Sequence, residues 1–114
     1  MPGHARKMQL AGRRIAVLVM NTGHGPTLCP LFAKCDGVLL IEPDRSRSYY
    51  PNTEGTARSL SELVLNTRSD RLLCGFIGSA EKEILQAAGI DIRVGSCACA
   101  VDELVASFST LPEA

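Results

Sequence analysis

The sequence predicts an α/β fold: a five-stranded mixed sheet with strand order 3-2-1-4-5, flanked by about three helices. In the second half of the chain, short aliphatic runs alternate with segments of helical periodicity, which is typical of parallel strands joined by helical crossovers. The first half carries three strand patterns with no helical segment between them, which indicates an antiparallel meander. The chain has 114 residues, 46% of them hydrophobic, which is enough for one domain with one core.

Three runs make up the antiparallel half. Residues 14–20 form a continuous aliphatic run, as expected of a central strand that is buried on both faces. Residues 38–42 form the second strand, and residues 47–50 alternate polar and aromatic side chains, as an edge strand does. Residues 21–37, which are rich in Gly and Pro, are predicted to form a long loop. The open edge of the third strand predicts that the protein is a monomer or a homodimer.

Two crossovers and a final helix make up the parallel half. Residues 71–77 and 92–95 form the fourth and fifth strands. Gly89 ends the second helix, and residues 110–114 are expected to form a loose tail. The residues expected to face the core are Ala57, Leu60, Leu63 and Val64 in the first helix, Ile84, Leu85 and Ala88 in the second, and Val101, Leu104, Val105 and Phe108 in the third.

Composition restricts the domain organisation and the partners. Twelve basic and twelve acidic residues give zero net charge, without the basic footprint of a nucleic-acid-binding protein. Residues 1–13 are predicted to be a flexible basic N-terminal lead, and residues 14–114 a single domain. No apolar run reaches the roughly 18 residues that span a bilayer, and residues 21–25 supply no signal-peptide cleavage site. We therefore expect a cytoplasmic protein that binds neither nucleic acid nor membrane.

Every cysteine lies on or close to one predicted edge of the sheet. Parallel strands end at the same edge, which is where open α/β sheets bind ligands. The residues concerned are far apart in the sequence: His24, Cys29 and Cys35 follow the first strand, Cys74 lies in the fourth, and Cys97 and Cys99 follow the fifth. Because cytosolic thiols are normally reduced, these cysteines indicate metal binding or redox chemistry more than a disulfide framework.

Cys97 and Cys99 give the sharpest local signal. Residues two apart in an extended segment point the same way, so both sulfurs can meet one soft metal or cluster. The third helix follows at once, and its N-terminus would stabilise thiolate charge. Cys29 and Cys35 would complete a four-sulfur set, and His24 is a further candidate metal ligand. Cys74 is expected to be a core residue, since free cysteine is among the most buried residue types.

Gly75, Gly78 and Lys34 are candidate cofactor-binding residues. The two glycines permit close backbone approach, and the N-terminus of the second helix offers free N–H groups to an anion. Their spacing is not that of a dinucleotide fingerprint, and a tight strand-to-helix turn explains them equally well. Lys34 either supplies charge that is complementary to an anionic cluster or is a plain surface lysine.

The order of these motifs resembles the dinitrogenase iron–molybdenum cofactor biosynthesis family, which includes NifX-like proteins and the C-terminal domain of NifB. The family segment runs through Cys-Gly-Gly-Ile-Gly, a helix and Ala-Ala-Gly-Ile, whereas residues 74–78 here read Cys-Gly-Phe-Ile-Gly and residues 87–90 read Ala-Ala-Gly-Ile. The resemblance covers roughly residues 14–110. It implies a ribonuclease H-like fold, binding or transport of iron–sulfur or iron–molybdenum cluster precursors, and a cluster donor or acceptor protein as partner.

The loop after the first strand departs from the family pattern. The family commonly has Ser-x-His-Phe-Gly-Arg-Ala there, whereas residues 29–35 read Cys-Pro-Leu-Phe-Ala-Lys-Cys. Leu31 replaces the His and Ala33 replaces the Gly, so a ligand role for that His does not carry over. Phe32 is kept, Lys34 retains the basic charge, and cysteines now flank the segment.

The sequence favours a non-catalytic binding or carrier protein for a metal–sulfur cofactor of the iron–sulfur or iron–molybdenum type. The alternative is a thiol redox or metal-sensing regulatory module that has lost cluster binding. A nuclease, which only the implied fold suggests, is disfavoured because residues 14–21 contain no acidic residue to hold catalytic metals. We therefore expect no enzymatic activity.

Overall fold

The computed structural model describes residues 14–23 and 25–114. The predicted basic lead, residues 1–13, lies outside the described residues. The strands are β1 (Ile15–Thr22), β2 (Gly25–Leu28), β3 (Gly37–Ile41), β4 (Arg47–Pro51), β5 (Arg71–Cys74) and β6 (Asp91–Val94), and the helices are α1 (Ala57–Asn66), α2 (Ser79–Ala87) and α3 (Val101–Ala106). Two 3₁₀ turns, Phe32–Lys34 and Phe108–Thr110, follow β2 and α3. The predicted mixed α/β architecture with three helices is confirmed.

The sheet is mixed, with β1 at its centre. Its main path runs β4-β3-β1-β5-β6, and β2 pairs with β1 outside that path. β1 is antiparallel to β3 and parallel to β5, while β3 is antiparallel to β4 and β5 is parallel to β6. β4 therefore lies at the edge, where the alternating pattern of its sequence placed it.

The predicted sheet lacked one strand. β1 extends to Thr22, and the chain turns back at once as β2, so that Val19 pairs with Leu28 and Thr22 pairs with Gly25. The prediction of an uninterrupted loop over residues 21–37 was therefore wrong, and the exact five-strand order is corrected to a six-stranded arrangement. β2 has only four residues, including a Gly and a Pro, so its composition looks like that of a turn.

The two faces of the sheet carry separate cores because side chains alternate along each strand. Ala16 and Leu18 of β1 belong to the core beneath α1 and α2, which we call the α1/α2 face. Val17 and Val19 belong to the core beneath α3, which we call the α3 face. All four side chains are fully buried, as the continuous aliphatic run predicted for a central strand.

The helices differ in how much of the predicted stripe they bury. In α1, Leu60 and Val64 are buried, and Thr56 and Ser59 form a reciprocal capping box at its start. In α2, only Leu85 is buried, and Ile84 is 51% exposed. The predictions that Ile84 and Ala88 face the core were wrong, since both are exposed. This nine-residue helix packs on α1 and β6 with Leu85 as its one buried side chain.

The C-terminal residues are ordered against β6, so the predicted loose tail is corrected. The N–H of Val94 donates to the carbonyl of Pro112 at 2.9 Å, and the N–H of Ala114 donates to the carbonyl of Ile92 at 3.1 Å. The Arg93 guanidinium bonds the carbonyls of Ser109 and Leu111 at 3.1 and 2.9 Å. The tail thus covers the outer edge of β6, and a short segment without sequence periodicity gave no sign of this pairing.

Among the described residues, no helix is both long and apolar enough to cross a membrane, and the longest helix, α1, has ten residues.

Candidate functional site

The carboxyl ends of β1, β5 and β6 meet at one edge of the sheet, which we call the rim. It consists of residues 29–36, 75–78 and 95–100, which follow β2, β5 and β6. Because β1, β5 and β6 are mutually parallel neighbours, the segments that leave β5 and β6 emerge side by side. The structure therefore brings the predicted candidate residues of these segments to one edge of the sheet. Some of them are buried there, however, and others are exposed to solvent.

The loop of residues 29–36 is fixed to the rim by backbone hydrogen bonds. The N–H of Cys29 donates to the carbonyl of Leu18 at 2.9 Å. The N–H of Phe32 donates to the carbonyl of Phe76 at 3.0 Å, and the N–H of Phe76 donates to the carbonyl of Pro30 at 2.8 Å. The loop thus continues the sheet past the end of β5 and holds its side chains in fixed positions.

Gly75 is the residue that permits this contact. A Cβ at position 75 would lie 2.5 Å from the carbonyl oxygen of Pro30 and 2.7 Å from that of Cys29. The close approach that the sequence suggested is therefore made by the protein's own backbone, and we correct the expectation that Gly75 offers this space to a cofactor. β5 also ends at Cys74 rather than at residue 77 because the chain turns toward this loop.

Three of the five cysteines are core residues of the α1/α2 face. Cys29, Cys35 and Cys74 are 2%, 5% and 0% exposed. The thiols of Cys29 and Cys35 both donate to the carbonyl of Leu31, at 3.1 and 3.3 Å, and the Cys74 thiol lies 3.8 Å from the carbonyl of Arg93. A buried thiol behaves as a small apolar side chain, and these three already have a main-chain carbonyl as acceptor. They therefore need no bound ligand to satisfy their hydrogen bonding.

Burial also keeps two of these thiols protonated. It raises the pKa of Cys74 from 9.0 to about 12. Burial, together with the neighbouring Cys29 thiol, raises the pKa of Cys35 well above its ordinary value. Metal binding requires the thiolate, so Cys35 and Cys74 lie in surroundings that oppose the chemistry of a ligand.

Cys97 and Cys99 lie in the opposite environment. Both are exposed and free, in the turn between β6 and α3. The turn is held by Ser96, whose hydroxyl accepts from the N–H of Ala98 at 3.1 Å and whose carbonyl accepts from the N–H of Cys99 at 3.1 Å. These are the two cysteines of the chain whose sulfur is open to a solute.

The predicted four-sulfur set is not assembled. Throughout residues 14–23 and 25–114, no three His, Cys, Asp or Glu side chains are grouped closely enough to hold a metal ion. Cys29 and Cys35 point into the core of the α1/α2 face, whereas Cys97 and Cys99 face solvent beyond β6. Position after a strand predicted the shared edge correctly, but it carried no information on burial.

The remaining candidates are scattered around the same edge. Gly78 is the N-cap of α2, and a Cβ there would lie 2.8 Å from the Oε1 atom of Glu81, whose carboxylate occupies the first turn of the helix. An acidic side chain at that place already complements the positive end of the helix. Lys34 is exposed in the first 3₁₀ turn. His24 lies outside the described residues.

The rim also exposes two large apolar side chains, and this exposure was not predicted from the sequence. Phe76 is 68% exposed and Leu31 is 47% exposed, and the two residues form a parallel bridge. The sequence placed Phe76 inside a buried strand, but Gly75 directly before it was the signal that the strand had ended. Leu31 also occupies the place of the family His. The rim thus combines exposed thiols with a small apolar surface.

Solved structures share this architecture. The apo form of the orange protein from Desulfovibrio gigas superposes with a TM-score of 0.79 at 23% sequence identity, over 90% of this chain and 93% of that one. A NifB-related protein from Thermotoga gives a TM-score of 0.68 at 16% identity, over 86% and 88% of the two chains. A dinitrogenase-like protein from Methanocaldococcus jannaschii gives 0.66 at 15% identity, over 90% and 95%.

The chain shares the fold of these three proteins. Two of them are a NifB-related and a dinitrogenase-like protein, which is consistent with the NifX-like family resemblance of the sequence. The sequence itself matches no protein-family model and no curated protein. At identities of 15–23% the likeness concerns the fold alone, and the chemistry depends on the residues at the rim.

Proposed function

We propose that this protein is a non-catalytic binding or carrier protein for a metal–sulfur cofactor, or a precursor of one, which it holds at the rim through Cys97 and Cys99. The observation that carries the proposal is the division of the cysteines: three are buried and hydrogen-bonded, and two are exposed together at the edge where such folds bind ligands. Soft thiolates favour iron–sulfur centres and related clusters over hard cations.

The number of available thiolates fits a cargo better than a resident cluster. A stable iron–sulfur cluster usually takes four protein thiolates. Two exposed thiolates can hold a preformed cluster that keeps sulfide ligands of its own and has open positions for another protein. A cluster donor or acceptor protein would supply those remaining ligands during transfer. Phe76 and Leu31 would cover part of the cargo at the same rim.

The structural neighbours support this proposal. The orange protein structure is an apo form, so that protein has a bound state, and the other two neighbours are NifB-related and dinitrogenase-like. The iron–sulfur and iron–molybdenum types of cluster are those that the family resemblance of the sequence implies. No acidic residue lies in β1, which argues against a carboxylate-bound catalytic metal there, and we propose no catalytic step.

The same two thiols favour one alternative. Cys97 and Cys99 are exposed, free and separated by one residue, so they are also the thiols that an oxidant would reach first. A thiol redox or metal-sensing module that has lost cluster binding would use them in this way. Such a module would show reversible thiol oxidation but would not retain sulfide.

Anaerobic reconstitution tests the proposal. Protein incubated with iron and sulfide, and then desalted, is expected to retain acid-labile sulfide and visible charge-transfer absorption. The double variant Cys97→Ser, Cys99→Ser is expected to lose most of both, because serine is a poor ligand for a soft metal. The matched control is Cys35→Ala, which removes a buried thiol and is expected to retain the cluster if circular dichroism shows that it is folded.

Two outcomes would contradict the proposal. Retention of the full spectrum by the double variant would remove Cys97 and Cys99 from the site. Loss of the spectrum in folded Cys35→Ala would assign the ligands to the buried cysteines instead. Wild-type protein that retains no sulfide but forms a reversible oxidised state would favour the redox module.

A further inference from the structure

A cleft of about 310 Å³ lies on the α3 face, between the start of β4 and α3. It is lined by Ile41, Arg45, Arg47, Asp102, Val105 and Ala106. Ile41, Val105 and Ala106 form its apolar part, which we call the floor, and Arg45 and Arg47 supply two guanidinium groups. Arg47 begins β4 opposite Ile41, whereas the other end of β4 pairs with Gly37, which lies beside Val19. The cleft is therefore at the opposite end of β3 and β4 from Cys35, which precedes β3, whereas Asp102 at its other side follows Cys99 by three residues.

Arg45 holds a backbone conformation that normally belongs to glycine. Its φ is 71°, in the left-handed region. The N–H of Arg45 donates to the carbonyl of Glu42 at 2.8 Å, and the N–H of Glu42 donates to the carbonyl of Ser46 at 3.0 Å. This is a type I turn followed by a bulge, whose left-handed position favours Gly. An arginine there is strained, and strain that a fold retains is a reason to look for a role of the side chain.

The guanidinium of Arg45, an exposed residue, has no ion-pair or hydrogen-bond partner within the described part of the chain. Arg47 differs, because it forms an ion pair with Asp102 of α3. The side chains of Arg47 and Asp102 are 43% and 75% exposed, so water screens this pair and an incoming anion can compete for Arg47. Asp44, which precedes Arg45, accepts hydrogen bonds from the hydroxyl and the N–H of Ser46 at 2.6 and 2.9 Å and forms no ion pair with Arg45.

The geometry points to a binding site for a small organic anion, in which a phosphate or carboxylate group lies between Arg45 and Arg47 and an apolar body rests on Ile41 and Val105. Planar guanidinium groups bind such oxyanions in a bidentate manner. The floor would favour anions that carry an apolar part over inorganic ions. Asp102 opposes binding, since it repels the anion and occupies Arg47.

Titration of the whole chain with phenyl phosphate and with benzoate tests this site by backbone amide chemical shifts. The shifts are expected to cluster at Ile41, Arg45 and Val105 and to saturate. Inorganic phosphate is expected to bind more weakly, and benzyl alcohol, which has no charge, is expected to give no saturating shifts. Phenyl phosphate and benzoate together decide whether the site prefers the phosphate or the carboxylate group.

Arg45→Gly is the decisive variant. It is expected to weaken phenyl phosphate binding by about tenfold, the loss of one charge-assisted contact, while the melting temperature stays the same or rises because the backbone strain is relieved. Arg45→Lys is expected to retain part of the affinity. Asp102→Asn is expected to strengthen binding several-fold, because it removes the repulsion and frees Arg47.

Arg68→Gly is the matched control. Arg68 also has a positive φ, 56°, but it follows α1 and does not line the cleft. Its replacement is expected to leave phenyl phosphate affinity unchanged. The inference is overturned if Arg45→Gly binds as tightly as the wild type, if Asp102→Asn binds no better, or if the saturating shifts lie outside the cleft.

Discussion

At the scale of single residues, the cysteines differ in burial although their positions in the sequence look similar. Cys29, Cys35 and Cys74 are buried and bonded to carbonyl groups, while Cys97 and Cys99 are exposed. The sequence predicted correctly that Cys74 is a core residue, because it lies in an aliphatic strand. It could not separate Cys29 from Cys97, because both follow strands and only the three-dimensional path of each loop decides which is buried.

The raised pKa of Cys74 predicts a loss of stability at alkaline pH. In the unfolded chain the thiol titrates near 9.0, whereas in the fold its pKa is about 12. The contribution of this thiol to the free energy of unfolding is therefore present in full below about pH 9. It is lost as the pH rises toward the pKa of the folded protein, because the unfolded state then binds fewer protons than the folded state. The expected loss is about 1.4 kcal/mol per pH unit above about pH 9 for this group.

The free energy of unfolding of wild type and Cys74→Ala, measured by urea denaturation between about pH 8 and about pH 10.5, isolates this contribution. The difference between the two proteins is expected to shrink as the pH rises. Cys97→Ala is the control, because an exposed thiol is expected to leave the difference from wild type constant. A constant difference for Cys74→Ala would contradict the assigned burial.

At the scale of elements, the hydrogen bonds between residues 29–36 and the end of β5 connect the two halves of the fold. The strand patterns predicted β1, β3, β4, β5 and β6, since each has a run of aliphatic or alternating residues. β2 and the docked loop could not be predicted, because four residues with Gly and Pro carry too little periodicity. Their positions depend on backbone contacts that leave no pattern in side-chain type.

Gly75→Ala is expected to destabilise the fold by about 2 kcal/mol or more. The new methyl group would lie within 2.7 Å of backbone atoms of Cys29 and Pro30, and neither can move without breaking the hydrogen bonds that hold the loop. Chemical denaturation measures the change. Gly23→Ala is the matched control, since a Cβ there meets nothing within 4 Å, and it is expected to change stability little. Equal effects of the two substitutions would refute the close contact at Gly75.

At the scale of the whole molecule, the C-terminal residues close the α3 face. Arg93 of β6 bonds the carbonyls of Ser109 and Leu111, pairs with Asp91 at 2.8 Å, and lies 5.5 Å from the ring centre of Phe108. Phe108 is 2% exposed beneath it. The helical periodicity of α3 predicted that Phe108 is buried. The tail beyond it has no periodicity, and its docking depends on backbone hydrogen bonds to β6 together with the side chain of Arg93.

Arg93→Met is expected to release this tail at a cost of about 1–2 kcal/mol. The substitution retains an apolar stem against Phe108 but loses the bonds to Ser109 and Leu111. Amide hydrogen exchange is expected to accelerate at Ala114 and Val94, whose N–H groups bond across the tail and β6. Arg58→Met, at a surface position where the side chain is 91% exposed, serves as the control and is expected to leave those rates unchanged.

The two outer strands of the main sheet path, β4 and β6, differ in whether their outer backbone groups are already paired. On one side the C-terminal residues already occupy the outer backbone groups of β6. On the other, the hydrogen bonds of Glu42 to Ser46 and of Asn52 to Asp36 show that even-numbered residues face β3, so the main-chain groups of Arg47 and Tyr49 point outward. Of the two margins of the main path β4-β3-β1-β5-β6, only that of β4 is open in the described part, so strand addition there can join two copies but cannot continue through β6. Fibrillar growth would first require the tail to peel away from β6.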